Sequence, residues 1–270
     1  MGQAARKIQR RKKALKKLDE VMSHPEHVVV IHYSCESFYD RPDGSSPRIT
    51  SIAVANLESA QTSSFSIHQV AEREGVSLDG IEAHYDHLER LMLDELYEYV
   101  RAHSGYSWLH WNMRSVHYGF QAIAHRYKVL GGQPAEVPEI QLIDLSRLLH
   151  AIYGGQYIGH PRLQKLVEKN GITDKDFLSG ADEAIAFESR QYVKLHFSTL
   201  RKADILASIA QRADEGSLRT NSTWRDTYSI YPQAIGEWLS EHWLVQIAAA
   251  IIAVISFIAA IIQLWEWLFY

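Results

Sequence analysis

His27–Ser34, HVVVIHYS, decides the fold class of this 270-residue chain. A short run rich in Val and Ile, bounded by turn signals, reads as a buried β-strand. Outward from it, the turn-rich Asp40–Pro47 (DRPDGSSP) leads to the alternating, β-prone Ile49–Asn56 and Ser63–His68. These three strands form an antiparallel meander. Asp79 then caps a helical pattern running to about His103, with Ile81, Tyr85, Leu88, Met92, Leu96 and Tyr99 on one face. Tyr106–His110 is a short strand, Val116–Leu130 a helix, and Ile140–Asp144 a strand that continues into a helical Leu145–Tyr153. His160–Asn170 is a helix stopped by Gly171, and Gly180–Arg212 is one long helix or two joined end to end. Hairpins followed by right-handed crossovers give an α/β fold, a mixed sheet with helices on both faces.

Composition narrows the rest. The single Cys35 excludes an internal disulfide framework and fits a reducing compartment. No 7–15-residue apolar segment follows the basic start, so no signal peptide is expected. The net charge of −4 conceals an asymmetry: Arg6, Lys7, Arg10, Arg11, Lys12, Lys13, Lys16 and Lys17 give +8, leaving 20 basic and 32 acidic residues, or −12, elsewhere. Residues 1–22 therefore read as a basic amphipathic arm, either solvated and partly disordered or a helix that attracts anionic lipid or nucleic-acid phosphate.

At the other end, Leu244–Leu264 (LVQIAAAIIAVISFIAAIIQL) carries no charge over 21 residues, flanked by Trp238 and Trp243 before it and by Trp265, Trp267 and Tyr270 after it. Length, apolarity and flanking rings predict one transmembrane helix. A single-pass tail anchor follows, with the N-terminal domain cytoplasmic. Gln246, Ala249, Ala253, Ser256, Ala260 and Gln263 share one helical face, small or polar throughout, which suits self-association of such helices into a homo-oligomer. The expected organisation is the arm (1–22), an α/β domain (23–212), a tether and pre-membrane segment (213–243), the span (244–264) and a short tail (265–270).

Three local stretches carry a family resemblance. VVVIHYSCESF with RITSIAVANL resembles the opening strands of the DEDD-type 3′–5′ exonucleases of the ribonuclease H-like superfamily. WLHWNMRSVHYGF is similar to that family's strand end, where an Asn precedes a metal-binding Asp. IQLIDLSRLL, HPRLQKLVEKNGI and GADEAIAFESRQYVKL resemble the run carrying its remaining Asp residues and its general-base His. The resemblance covers about residues 27–200 and implies a ribonuclease H-like sheet. In that family four carboxylates hold two divalent ions ~3.5–4 Å apart that activate water. Here the first pair is Ser34-Cys35-Glu36, the second Asp is replaced by Ser115, Val116 or His117, and Phe177 or Leu178 stands where the His belongs. An inactive, exonuclease-like domain is the expectation, with no cofactor. An active enzyme would need Mg²⁺ or Mn²⁺ around Glu36, Asp144, Asp182 and Glu183, with Glu36 and Asp182 as the weak metal candidates.

If the strands converge as that topology implies, one rim offers Glu36, His110, Trp111, Asn112, Arg114 and Asp144. Trp111 would stack a base, Asn112 read an amide or base edge, and Arg114 clamp phosphate. Tyr157, His160 and Arg162 precede the next helix, whose N-terminus favours an anion. Among the other motifs, His84 and His87 read as a solvated helix face, Cys35 as a buried small side chain, and the Gly pairs as turns. The function this implies is a sensor or effector that binds nucleic acid, nucleotide or a partner protein and acts through the self-associating anchor, as in bacterial anti-phage defence. A tethered active exonuclease and a membrane docking scaffold are the alternatives.

Overall fold

A computed structural model describes residues 2–36, 46–223, 232, 235 and 243–269, with side chains of the last stretch described at 247 and over 251–264. Strands β1 (Val28–Cys35), β2 (Ile49–Asn56), β3 (Thr62–Ser66), β4 (Ser107–His110) and β5 (Leu142–Asp144) form one sheet in the order β3-β2-β1-β4-β5. The first three are antiparallel, whereas β4 pairs parallel to β1 and β5 parallel to β4. An α/β mixed sheet flanked by helices is therefore present. The carboxyl ends of β1, β4 and β5 share one edge.

Every residue of β1 is buried because the strand is central and covered on both faces. Val29, Ile31, Tyr33 and Cys35 join a core with α3 (Tyr85–Ala102) and α4 (Phe120–Val129). Val28 and Val30 point the other way, into a core with α1 (Gln3–Met22), α5 (Leu145–Tyr153), α6 (Arg162–Asn170) and α8 (Tyr192–Asp214). Such two-faced burial explains a near-continuous apolar run rather than strict alternation.

The boundaries shift from the sequence reading where local chemistry decides. Residue 67 begins a short helix, α2 (Ile67–Arg73), burying Ile67, Val70 and Ala71, so β3 stops at Ser66. Helix α4 starts at Phe120 because residues 111–119 form a tight loop with Asn112 at φ 57° and Gly119 at φ 143°. A Cβ on Gly119 would lie 2.4 Å from the Met113 backbone, so only glycine fits. Arg190, at φ 58°, breaks Gly180–Arg212 into α7 (Gly180–Glu188) and α8.

The N-terminal segment is part of the fold. Helix α1 buries Ala4, Ala14, Leu18 and Val21 against α5 and α8, and Arg11 Nε donates to the Ile152 carbonyl at 3.1 Å. After α8 the chain turns back: Leu218 is buried, Arg219 N donates to Asn170 Oδ1 at 2.8 Å, and Asn221 N donates to Tyr157 O at 2.7 Å. The first part of the expected tether, through 223, is thereby fixed to α6 and the loop before it. Residues 224–231, most of the pre-membrane segment, and Asp40–Ser45 of the turn lie outside the described residues.

The transmembrane reading is corrected. Helix α9 (Trp243–Phe269) contains the apolar stretch, but among the described residues no helix is long and apolar enough to cross a membrane. The single-pass, tail-anchored placement and the cytoplasmic orientation derived from it are not supported. On α9, Ala253, Ser256, Ala260 and Gln263 are exposed; the side chains of Gln246 and Ala249 lie outside the described residues.

Candidate functional site

Beside the shared strand edge lies a cleft of about 1090 Å³, bounded by α4, α5, the segment 134–142 and Lys17 of α1. Its floor is apolar, with Ile31, Tyr97, Ile123 and Ile143. Its polar lining includes His110, Arg114, Lys128, Asp144 and Arg147. An apolar floor with a few convergent polar groups is the usual form of a ligand site.

Asp144 anchors one wall. It ends β5 and caps α5, so its position follows from the strand running directly into the helix. Its Oδ1 accepts from Asn112 N and from Arg147 N, each at 3.3 Å, while Oδ2 lies in a close ion pair with Arg114 Nε. Arg114 Nη2 also donates to Asn112 Oδ1 at 3.0 Å. The guanidinium is thus braced yet 43% exposed at the cleft. His110 Nδ1 accepts from Met113 N at 3.2 Å. Burial pulls this imidazole down to about 4, opposed by Asp144 and assisted by Arg114. At neutral pH it is uncharged, and the charged lining sets Lys17, Arg114, Lys128 and Arg147 against Glu136, Glu139 and Asp144, with Arg114 paired to Asp144.

Lys17 connects the cleft to α1. Along that helix Arg6, Lys7, Arg10, Lys12, Lys13 and Lys16 are exposed, held by the docking of Ala14, Leu18 and Val21. The result is a rigid cationic surface leading to the cleft mouth. Sequence reasoning found the charges of α1 but not their union with Lys128 and Arg147. The only local signal was Arg147 three residues after a helix-capping Asp.

The other singled-out residues fall elsewhere. Trp111 is buried in the α1–α5–α8 core and Tyr157 is completely buried, so neither presents a ring face for stacking. Arg162 starts α6 with its guanidinium 5.8 Å from the Tyr157 ring, and His160 is exposed in the loop before it. His84 Nδ1 contacts Gly80 O and His87 pairs with Glu74.

The four carboxylates of the exonuclease reading are each engaged by a different neighbour. Glu36 is held by Arg48 at 3.3 Å, which also reaches Glu82 at 2.7 Å and lies over the Tyr85 and Phe187 rings. Asp144 is held by Arg114. Asp182 forms the capping box of α7 with Ser179, whose hydroxyl donates to it at 2.6 Å. Glu183 is buried against Lys202 at 2.7 Å. Cations of the protein thus occupy three of these carboxylates, and among the described residues no group of three or more His, Cys, Asp or Glu could hold a metal ion. The resemblance to DEDD-type exonucleases is corrected on this ground and on the comparisons. No family model, no curated protein and no solved structure matches this chain.

Proposed function

We propose that the protein is a binding module for single-stranded nucleic acid, with the strand's phosphates tracked along α1 and one nucleotide seated in the cleft. The observation that supports this reading is the docked cationic face of α1 running through Lys17 into a cleft with an apolar floor. A flexible basic tail would attract any polyanion, whereas charges fixed on a packed helix hold a phosphate path in one direction. Arg114, with Nε on Asp144 and Nη2 on Asn112, is a fixed guanidinium at the mouth whose Nη1 side faces a phosphate, rather than a free donor fork. Base recognition would rest on the apolar floor and His110 rather than on Trp111. The protein's net negative charge away from α1 limits contact to this one face.

The test is anisotropy of labelled single-stranded RNA and DNA with the full chain as salt is varied. About six phosphate contacts give a slope of log affinity on log salt near −4. Charge reversal at Lys12, Lys13 and Lys16 should flatten that slope by about 2. Affinity independent of salt, or unchanged by the triple reversal, overturns the reading.

A further inference from the structure

We propose that His68 and His196 form a site for a divalent transition-metal ion of the zinc type that clips α2 to α8. The pair lies away from the cleft, at the sheet edge formed by β3. Their ring centroids are 5.0 Å apart with planes inclined at 50°. A zinc ion ~2.0–2.1 Å from an imidazole nitrogen stands ~3.2 Å from the ring centroid, so two imidazoles on one tetrahedral ion have centroids ~5.2 Å apart. The observed spacing matches that arrangement.

Hydrogen bonding prepares both rings. Ser66 Oγ donates to Gln69 Oε1 at 2.9 Å, since an amide oxygen only accepts. The same hydroxyl is 3.2 Å from His68 Nδ1 and has no second proton to give. It therefore accepts from Nδ1–H, which leaves the lone pair of His68 on Nε2. Metal-bound histidines are oriented in this way, by an oxygen acceptor on the nitrogen that does not bind metal. On the other side, His196 is only 4% exposed and its Nε2 is buried with no hydrogen-bond partner. A buried imidazole nitrogen without a partner is costly, and a metal ion would satisfy it.

The ion would thus take two imidazoles, with solvent completing its shell.

The experiment titrates the full chain with Zn²⁺ by calorimetry and follows thermal unfolding in parallel, for wild type and His68→Ala. The expected result is one Zn²⁺ per chain with a rise in melting temperature, both lost in His68→Ala, where affinity falls at least tenfold. His68 is only half-buried, so this variant should retain the fold; unchanged circular dichroism verifies it, and His68→Gln serves if Ala does not fold. Equal Zn²⁺ affinity in wild type and the His68 variant, or no Zn²⁺ binding by wild type, overturns the proposal.

Discussion

Replacing Lys202 by Met should destabilise the protein by about 3–5 kcal/mol, the cost of leaving a buried carboxylate without its cation. Lys202 on α8 reaches Glu183 on α7 at 2.7 Å, and both are nearly inaccessible. Glu183 Oε1 also accepts from Ser198 Oγ at 2.9 Å and from Ser34 Oγ at 3.0 Å. Thr199 and Ser51 extend this chain of hydroxyls to the sheet. Methionine fills the space of the lysine stem, so little of the loss comes from a cavity. What remains is a carboxylate with two hydroxyl donors and no charge partner in a low-dielectric interior. For a chain of this size the change corresponds to a melting temperature lower by ~6–20 °C. Urea denaturation followed by tryptophan fluorescence, with the slope compared between variants, is the assay. Adding Glu183→Gln to Lys202→Met should recover more than about 2 kcal/mol, because the orphan charge is then gone. A Lys202→Met protein within about 1 kcal/mol of wild type, or a double variant no better than the single, refutes the argument that the pair is held together by mutual charge compensation.

Leu18→Ala should cost about 2–4 kcal/mol, since Leu18 is 2% exposed between α1 and the body of the domain. Equilibrium unfolding measures it, and a negligible cost would mean that α1 is not docked. The pH dependence of stability isolates His110. Its folded value of about 4 lies below the ordinary ~6.5, so the unfolded chain binds the extra proton between these values. Stability contributed by the neutral ring is whole above pH ~6.5, falls as pH drops toward ~4, and is constant below. Glu89 acts oppositely: burial raises it to about 7 against Arg126, so its contribution declines as pH rises from ~4.5 to ~7. The difference between wild type and His110→Gln at each pH removes the Glu89 effect, and a difference that does not change between pH 7 and 4 contradicts the assignment.

How much of this was legible in the residues depends on the range of the interaction. The Val and Ile run at 28–31 and the alternation at 49–56 are local patterns, and each of the five strands overlaps the stretch read for it, with β3 ending at Ser66 and β5 starting at Leu142. Helix α2 was missed because Ile67–Arg73 is two turns long and its N-cap, Ser66 with Gln69 three residues on, lies inside a β-prone run. The loop after β4 read as the start of a helix because the left-handed backbone of Asn112 and the contact at Gly119 are set by tertiary packing. Trp111 was read as a stacking surface, yet whether an aromatic ring faces solvent depends on which helices cover that side of the sheet. Here α1, α5 and α8 do. The partners of the carboxylates were equally hidden: Lys202 is 19 residues from Glu183 and Arg114 is 30 from Asp144. Charge on α1 was plain in composition, but its rigid union with the cleft needed Leu18 and Val21 to find their places in the core. The apolar stretch of α9 shows the limit of composition most clearly, because residue content alone does not establish what surrounds a helix.

Whether α1 and the cleft act as one polyanion-binding surface is decided by the salt dependence of single-strand binding in three proteins. These are wild type, the triple reversal Lys12→Glu, Lys13→Glu and Lys16→Glu on α1, and Arg147→Ala at the cleft. All three positions reversed on α1 are exposed, and Arg147 is exposed as well, so the fold should be unaffected. The expected slopes are near −4 for wild type, flatter by about 2 for the triple reversal, and flatter by about 0.7 for Arg147→Ala. Identical slopes in all three proteins, or binding too weak to detect even at low salt, would contradict that joint surface.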